Sequence, residues 1–345
     1  MNMTNYHWRG RKVLVTGATG FVGRNFVSRL LSLGADVVCP VRNAKKAESL
    51  AQAGAEIVAG DLADEAFLAR SVAGREVVFH IAGSLSAYGY EDMAAVNVGL
   101  TEKIVRICAS QEKPPVFLYV SSLAAMGPSR SATRPHLEGD VPAPISMYGR
   151  SKYAAETMLR KYAGRVPITV VRPPMIFGPG DQEVRKWLET IRRTGFFLIP
   201  ILRPWHFSMV YVDDVSQVLL LAAEKGERLP ATGASRKPGE GIYFVAQNEH
   251  PSYLEMGQLF GDAMGKKRVR TVATSWPLAY LAGFCCECFV RWTGRPPMQP
   301  NVDKVREGIA GHWTCSAEKA RRQLGFEPEG TLAQQLEKTV RSLFG

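Results

Sequence analysis

An apolar segment that runs directly into three regularly spaced glycines constrains this chain more than any other feature. Residues 13–15 are Val-Leu-Val, and Gly17, Gly20 and Gly23 follow before an apolar, helix-like stretch over 26–33. Such glycines let the chain turn sharply, let a ligand lie against bare backbone and let the helix pack close to the strand. The start of the helix then presents free N–H groups and the positive end of its dipole. The segment predicts a cradle for the pyrophosphate of a dinucleotide.

Short apolar segments and helical patterns alternate along the first half of the chain. This alternation predicts an α/β fold with a Rossmann-type, doubly wound parallel sheet covered by helices on both faces. Ligands of such sheets bind at the carboxyl ends of the strands, where the glycine turn and the candidates that follow the strands up to 116–120 lie. We predict strands over 36–41, 56–60, 77–83, 116–120 and 168–171, and a helix over 93–109.

The residue that follows the strand 36–41 bears on the choice of dinucleotide. A carboxylate at this position would bind the ribose hydroxyl of NAD, whereas Arg42 fits the 2′-phosphate of NADP. Lys45 and Lys46 lie just beyond and add positive charge. We therefore predict that the cofactor is NADP. The alternative is NAD, with Arg42 an ordinary surface residue.

The next two strands also end on residues suited to a cofactor. Asp61 can reach the adenine edge while Leu62 packs beside it, although capping of a helix by Asp61 is an alternative. Ala82 and Gly83 are small enough to let a cofactor lie flat over the sheet edge. His80 stands within an apolar run, so we interpret it as a core histidine and not as a catalytic residue.

A tyrosine and a lysine four residues apart predict acid–base chemistry. Tyr148 and Lys152 open a predicted helix and lie one turn apart on the same face. An ammonium about 5 Å from a phenol is worth roughly 3 kcal/mol at an effective dielectric constant of about 20, so we expect it to lower the phenol pKa by about two units. Tyr148 then exchanges a proton with a carbonyl or alcohol oxygen, which Ser122, at the end of the strand 116–120, holds by a hydrogen bond.

Five motifs resemble, in order and spacing, the extended short-chain dehydrogenase/reductase superfamily, and the resemblance covers nearly the whole chain. They are the glycine turn 16–23, Asp61-Leu62, Ser121-Ser122 with Gly127 five residues beyond Ser122, Tyr148-x-x-x-Lys152 and the segment 172–179. The resemblance implies a catalytic triad of Ser122, Tyr148 and Lys152, in which Lys152 also binds the nicotinamide ribose, and Asn97 as support for a proton relay. The cofactor-binding residues that we predict are Gly17, Thr19, Gly20, Phe21, Val22, Gly23, Arg42, Lys46, Asp61, Leu62, Ala82, Gly83, Tyr148, Lys152, Pro173 and Ile176.

The resemblance also implies how the rest of the chain is organised. We expect the segment 210–215 to return the chain to the sheet before a helix over 216–224. The predicted NADP-binding Rossmann domain comprises 1–175 and 207–248, and the smaller, mostly helical substrate-binding part comprises 176–206 and 249–345. The long helices after Glu91 and Tyr148 are those that pair in this superfamily, which implies a homodimer.

The branch of the superfamily bears on the substrate. Nucleotide-sugar epimerases and dehydratases usually carry a Gly-rich turn followed by Gln and Arg, which the segment 199–208 lacks, although Arg203 could still meet a phosphate. The segments 239–245 and 316–328 are similar to the 3β-hydroxysteroid dehydrogenase and dihydroflavonol reductase branches, and 41–46 resembles the NADP-binding loop of the latter. The resemblance therefore implies an NADP(H)-dependent oxidoreductase acting on a steroid-like, flavonoid-like or long-chain hydrophobic ketone or secondary alcohol. The alternatives are a nucleotide-sugar epimerase or dehydratase with retained cofactor, and an NADP-sensing regulator without catalysis.

Composition limits the remaining partners. The net charge is +11, but Lys and Arg are spread along the chain without a basic arm, so we expect no nucleic-acid partner. The six cysteines have no paired metal-ligand spacing, so we predict no metal site and expect the group Cys285, Cys286 and Cys288 to pack in a core or an interface. The first strand begins about a dozen residues from Met1, which leaves no room for a cleaved signal and predicts a cytoplasmic protein.

Residues 276–292 form the most hydrophobic stretch of the chain. At about 17 residues, and interrupted by Glu287, the stretch is too short and too charged to predict a membrane span. We expect a helix packed on the substrate-binding part. The alternative is an interfacial helix that makes peripheral membrane contact and lets a lipid-like substrate enter from the membrane.

Overall fold

The predicted strands form one parallel sheet in a computed structural model of the protein, which describes residues 8–234, 237–297 and 300–345. Seven strands pair in the order β10-β6-β5-β4-β1-β2-β3, which is the doubly wound order expected from the alternating pattern. The strands are β1 Lys12–Thr16, β2 Asp36–Val41, β3 Glu56–Ala59, β4 Val77–His80, β5 Val116–Val120, β6 Ile168–Arg172, β7 Met175–Phe177, β8 Phe196–Ile199, β9 Met209–Tyr211, β10 Ile242–Phe244 and β11 Arg270–Ala273.

Helices cover both faces of the sheet and make up most of the C-terminal part. The predicted helix over 93–109 is broken into two α-helices by a π-helical segment, Ala95–Leu100. The α-helices are α1 Phe21–Ser32, α2 Glu48–Gln52, α3 Glu65–Val72, α4 Tyr90–Ala94, α5 Thr101–Ser110, α6 Met147–Leu159, α7 Gln182–Thr194, α8 Val212–Lys225, α9 Tyr253–Ala263, α10 Trp276–Thr293, α11 Val302–Gly308, α12 Glu318–Leu324 and α13 Leu332–Phe344.

The segment 210–215 does not rejoin the main sheet, so that prediction is wrong. β9 pairs in parallel with β7 in a separate two-stranded sheet, and α8 begins at Val212. The reason is that the free edge of β6 is taken by β10, which pairs with it through Val170 to Arg172. β8 and β11 form a second small parallel sheet in the C-terminal part.

Alternation along the strands divides the core between the two faces of the main sheet. In β1, Val13 and Val15 pack on the face that also buries Phe26 of α1, whereas Leu14 packs on the face that buries Ile104 of α5. Burial on both faces explains why these strands read as continuous apolar runs. A third cluster, which includes Leu188 and Phe260, forms the core of the C-terminal part.

His80 is a core histidine, as the sequence predicts. Its ring is fully buried, with Nδ1 2.7 Å from the Thr16 hydroxyl and Nε2 2.8 Å from the Thr101 hydroxyl. Burial lowers the pKa of His80 to about 3, and the nearby charge of Lys152 acts in the same direction. The imidazole is therefore a neutral link between β1, β4 and α5.

Candidate active site

The glycine turn brings the ends of β1 and β4 into contact. Gly17 has a φ of 74°, and a Cβ on it would lie 2.6 Å from the backbone nitrogen of Ala82. A Cβ on Gly23 would overlap the carbonyl oxygen of Gly17, so the close packing predicted for this glycine is present. Thr19, Phe21 and Val22 are half-buried beside them. The turn has the shape that a pyrophosphate cradle requires.

Two helices begin at this edge of the sheet, and their N-termini differ. The α1 N-cap residue is Gly20, which offers no side-chain hydrogen bond to the first amides of the helix. In α6, by contrast, the Asp303 carboxylate accepts from the amides of Met147 at 2.8 Å and Tyr148 at 3.2 Å, and Ser146 accepts from Gly149 at 2.9 Å. The start of α1 therefore keeps its donors for an anion, whereas the start of α6 is closed by protein groups.

The three predicted catalytic side chains lie together at the end of β5. Ser122 lies close enough to the Tyr148 phenol to lower its pKa. Lys152 Nζ lies 6.0 Å from the centre of the Tyr148 ring and donates to the Val120 carbonyl oxygen at 2.9 Å. The neighbouring Ser121 is buried and donates instead to Glu156, so only one of the two serines reaches the phenol. The triad geometry is present, and its catalytic role stays a prediction.

Burial dominates the electrostatics of this triad. It raises the pKa of Tyr148; the hydrogen bond with Ser122 opposes that shift, and the charge of Glu307 adds to it. The expected net lowering of the phenol pKa is therefore wrong for this structure, because the loss of water around the phenol dominates the shift. Burial also lowers the pKa of Lys152 to about 8, while Glu156 raises it. At neutral pH the site holds a protonated phenol beside a cation.

Asn97 ties the loop after β4 to the catalytic helix. It lies on the π-helical segment, where the wider turn re-aims side chains, and it is almost fully buried. Its amide nitrogen donates to the Ser84 carbonyl at 3.0 Å and to the Ser151 hydroxyl at 2.8 Å, and its oxygen accepts from the Ser84 amide at 2.7 Å. Ser151 in turn donates to the Tyr148 carbonyl at 2.8 Å. Its predicted part in a proton relay is not tested by this arrangement.

Groups from distant parts of the chain, several of them C-terminal, surround Tyr148 in a way that the sequence did not predict. Met93 and Ala124 pack against the Tyr148 ring, and half-buried Trp313 packs against the same cluster. Lys304 Nζ lies 4.8 Å from the ring centre on α11, the helix that also carries Asp303. No local pattern in the sequence links these residues to Tyr148, since more than 150 positions separate Asp303 from the amides that it accepts.

The arrangement of turn, strand ends and triad is that of a dinucleotide-dependent site, and comparison with known proteins agrees. A family model described as the NAD dependent epimerase/dehydratase family matches residues 13–234. The chain belongs to this family. It is accordingly an NAD(P)-dependent enzyme of the short-chain dehydrogenase/reductase type, and the resemblance inferred from the motifs is confirmed.

The relatives of this epimerase/dehydratase family member include enzymes named for lipid-like substrates. It is 32% identical to a ceramide reductase of Caulobacter vibrioides, covering 88% of this chain and 86% of the relative. It is 27% identical to the human 3 beta-hydroxysteroid dehydrogenase type 7, covering 91% and 90%. Among solved structures, the UDP-glucose 4-epimerase of Thermotoga maritima with UDP-glucose has a TM-score of 0.73 at 23% identity, covering 96% and 97%. The last likeness shows the fold.

Cations surround the end of β2 in this family member, where the ribose selectivity was predicted. Arg42, Lys45 and Lys46 are all exposed directly after the strand. Arg24 of α1, which no sequence motif singles out, donates to the Thr19 carbonyl at 3.0 Å and to the Lys46 carbonyl at 2.6 Å. It thereby joins the glycine turn to the predicted NADP loop and adds a fourth positive charge.

The remaining predicted cofactor residues also lie at strand ends. Asp61 is exposed and accepts from the Ala63 amide at 2.9 Å, whereas Asp64 caps α3, so the capping alternative for Asp61 is wrong. Leu62 is half-buried beside Asp61. A Cβ on Gly83 would lie 3.1 Å from both Lys152 Nζ and Asn97 Oδ1. Pro173 follows β6 and accepts from the Leu123 amide at 2.8 Å, and Ile176 lies half-buried on β7.

Proposed function

We propose that the protein is an NADP(H)-dependent oxidoreductase that interconverts a hydrophobic ketone and the corresponding secondary alcohol. The observation that carries the proposal is the surroundings of Tyr148. The phenol has Ser122 and Lys152 beside it, Lys304 Nζ lies over the ring, and Met93, Ala124 and Trp313 pack in the same apolar cluster. Hydroxyls and an ammonium beside a phenol are the groups that proton exchange with a carbonyl or alcohol oxygen requires, and the apolar neighbours favour an alkyl or ring ketone over a sugar.

Each polar side chain has a distinct role in the proposed reaction. A bound nicotinamide supplies the hydride for reduction and takes it up in oxidation. In reduction, the carbonyl oxygen of the substrate lies between the hydroxyls of Ser122 and Tyr148, and the phenol gives it the proton that completes the alcohol. Lys152, held by the Val120 carbonyl, stabilises the phenolate that remains. In oxidation the same proton moves back to Tyr148.

The names of the relatives support a lipid-like substrate. Ceramide and 3β-hydroxysteroids, which name two relatives, are large and mostly apolar. The segment 199–208 lacks the Gly-rich turn and the Gln that grip a sugar diphosphate, and Arg203 is exposed. The likeness to UDP-glucose 4-epimerase extends to the fold and does not favour a sugar nucleotide here.

NADP is favoured over NAD by the charge at the end of β2. Arg24, Arg42, Lys45 and Lys46 are exposed there, and a 2′-phosphate brings about two negative charges. The carboxylate that NAD-dependent members use to bind the ribose hydroxyls is absent from position 42.

The test is nicotinamide absorbance over time, with NADPH and a panel of alkyl and ring ketones, beside a panel of UDP-sugars with product analysis. We expect NADPH to be consumed with one or more ketones. Tyr148→Phe should lower the rate by at least about a hundredfold and leave NADPH binding nearly unchanged. Tyr153→Phe, on the exposed side of the same helix, is the matched control. An inverted sugar without loss of NADPH would instead identify an epimerase, and NADPH binding without turnover in either panel would favour a sensor.

A further inference from the structure

The helix α10 turns a wide apolar arc to the surface and its single acidic residue, Glu287, toward the protein. Its buried side carries Gly283 and Val290, together with Glu287, whose carboxylate accepts from the Val302 amide at 2.9 Å. Leu281, Phe284 and other apolar side chains project from the opposite arc, about 140° wide at 100° per residue. They are Leu278, Leu281, Phe284, Phe289 and Trp292, with exposed fractions of 61%, 55%, 58%, 45% and 85%.

This orientation is the reverse of that in an ordinary surface helix, which turns its charged face to water. The outer arc holds no charged residue, and Cys285 and Cys288, which complete it, are exposed. The helix is packed on the substrate-binding part through its inner side, as expected, whereas the exposed Cys285 and Cys288 do not pack in a core. We name the outer arc of α10 the apolar face.

The two-stranded sheet that precedes α10 in the chain exposes further apolar side chains. Leu198 of β8 and Val272 of β11 are opposite each other in the register and are 53% and 41% exposed. The chain passes from β11 into α10 within three residues, and the Thr274 amide donates to the Ile199 carbonyl at 2.8 Å. Single exposed apolar residues are ordinary on a surface, but five on one arc of one helix mark an interaction site.

Cations stand at both ends of the apolar face. Lys267, Arg268 and Arg270 are exposed directly before or within β11, at the end where α10 begins. At the other end Arg291 and Arg295 are exposed, and the Arg295 guanidinium lies 5.5 Å from the centre of the Phe289 ring. Two copies of the chain meeting through this face would bring like charges together in a protein whose net charge is already +11. An apolar face flanked by cations matches an anionic bilayer, whose headgroups lie above a hydrocarbon core.

We propose that this face docks on an anionic lipid bilayer and lies in the headgroup region. Trp292 lies on the outer arc near the C-terminal end of α10, where an indole ring favours the boundary between water and lipid. Among the helices that the structure describes, none is long and apolar enough to cross a bilayer, so the contact is with one leaflet.

The helix that carries the apolar face also packs against segments that border the candidate active site. On its inner side, a Cβ on Gly283 would be 3.0 Å from the carbonyl carbon of Asn301, two residues before the Asp303 that closes the start of α6. Arg291 donates to the Tyr88 carbonyl at 2.8 Å, which joins α10 to the loop that follows Gly83. A hydrophobic ketone dissolved in the bilayer would therefore meet the protein at a helix that adjoins the surroundings of Tyr148. This last step rests on the proposed function, whereas docking itself does not.

The experiment is sedimentation of the full chain with vesicles of phosphatidylcholine and phosphatidylglycerol, and with vesicles of phosphatidylcholine alone. We expect binding to the anionic vesicles that weakens with added salt. Phe284→Glu should lower the partition coefficient by at least about tenfold, because a carboxylate replaces a ring that docking would bury in the bilayer. Val141→Glu is the matched control, since it adds the same charge at an apolar side chain that is 86% exposed in a loop outside the apolar face. Sedimentation velocity without lipid reports the oligomeric state of both variants.

Each outcome decides the proposal. It is supported if native protein and Val141→Glu bind the anionic vesicles and Phe284→Glu does not, with an unchanged melting temperature and oligomeric state. It is overturned if native protein stays in the supernatant, or if both variants bind equally. If Phe284→Glu instead dissociates a dimer and no form binds vesicles, the face is a contact between copies. Tyr148→Phe should still bind vesicles, so failure of the proposed reaction and failure of docking are distinguishable.

Discussion

Raising the pH above 8 should inactivate the enzyme, because Lys152, which has a catalytic role in the proposed reaction, loses its charge there. Burial lowers the pKa of Lys152 to about 8, from a value above 10 in water. Below that pKa the ammonium is present, and above it the side chain is neutral and no longer stabilises a phenolate. Tyr148 does not set the limit in this range, since burial raises the pKa of the phenol.

The magnitude follows from the titration of a single group. At one pH unit above its pKa, about one tenth of a lysine remains charged, and each further unit removes about another factor of ten. The value of kcat/KM for ketone reduction, which reports the free enzyme, should therefore be flat from about pH 6 to 7.5 and fall with a slope near −1 above about pH 8.

The assay is the initial rate of NADPH consumption at low ketone concentration, across about pH 6 to 9.5, with the melting temperature measured at each pH. Lys152→Arg is the control, since a guanidinium stays charged throughout this range. We expect the variant to be slower but to lack the alkaline fall. A native profile that stays flat to about pH 9.5, or the same fall in Lys152→Arg, would refute the reasoning.

Three further predictions concern the cofactor loop after β2, the buried pair of Glu156 and Arg172, and the start of α6. Arg42→Glu should reduce the ratio of kcat/KM for NADPH to that for NADH by about a hundredfold, because it reverses a charge beside the 2′-phosphate; an equal loss after Arg341→Glu would contradict this. In the native protein the buried Arg172 guanidinium donates to both Glu156 carboxylate oxygens. Glu156→Gln removes the charge partner of Arg172 and should lower the free energy of unfolding by about 3–5 kcal/mol in denaturant titration. A second substitution, Arg172→Met, should restore most of that loss, and no recovery would show that the pair is not the cause. Asp303→Ala removes the acceptor of the first two amides of α6 and should lower the free energy of unfolding by about 1 kcal/mol. We expect kcat to fall while NADPH affinity is kept. An unchanged kcat would exclude a positioning role for Asp303.

Much of the dinucleotide half could be predicted because its signals are local. The turn between β1 and α1 explains by itself why glycines occupy positions 17, 20 and 23, since it requires a positive φ and close approach of backbone atoms. The spacing of Tyr148 and Lys152 likewise needs only helix geometry to place both on one face. The parallel sheet followed from continuous apolar runs that are buried on both faces.

Other features depend on contacts between segments that are distant in the chain, and a local sequence pattern does not contain those contacts. The composition of the segment 210–215 would suit a strand of either sheet. It is excluded from the main sheet only because β10 occupies the edge of β6. The direction of the Tyr148 pKa depends on how much water the assembled apolar cluster removes, and that cluster includes Trp313 from the far end of the chain.

The sequence by itself determined the doubly wound sheet, the glycine cradle and the pairing of Tyr148 with Lys152, because each follows from neighbours within a few residues. Only the tertiary structure decided that Asp303 closes the catalytic helix and that α10 turns Leu281 and Phe284 outward. Hydrophobicity along the chain predicts that a helix has an apolar face, but whether protein covers that face depends on the elements packed around it.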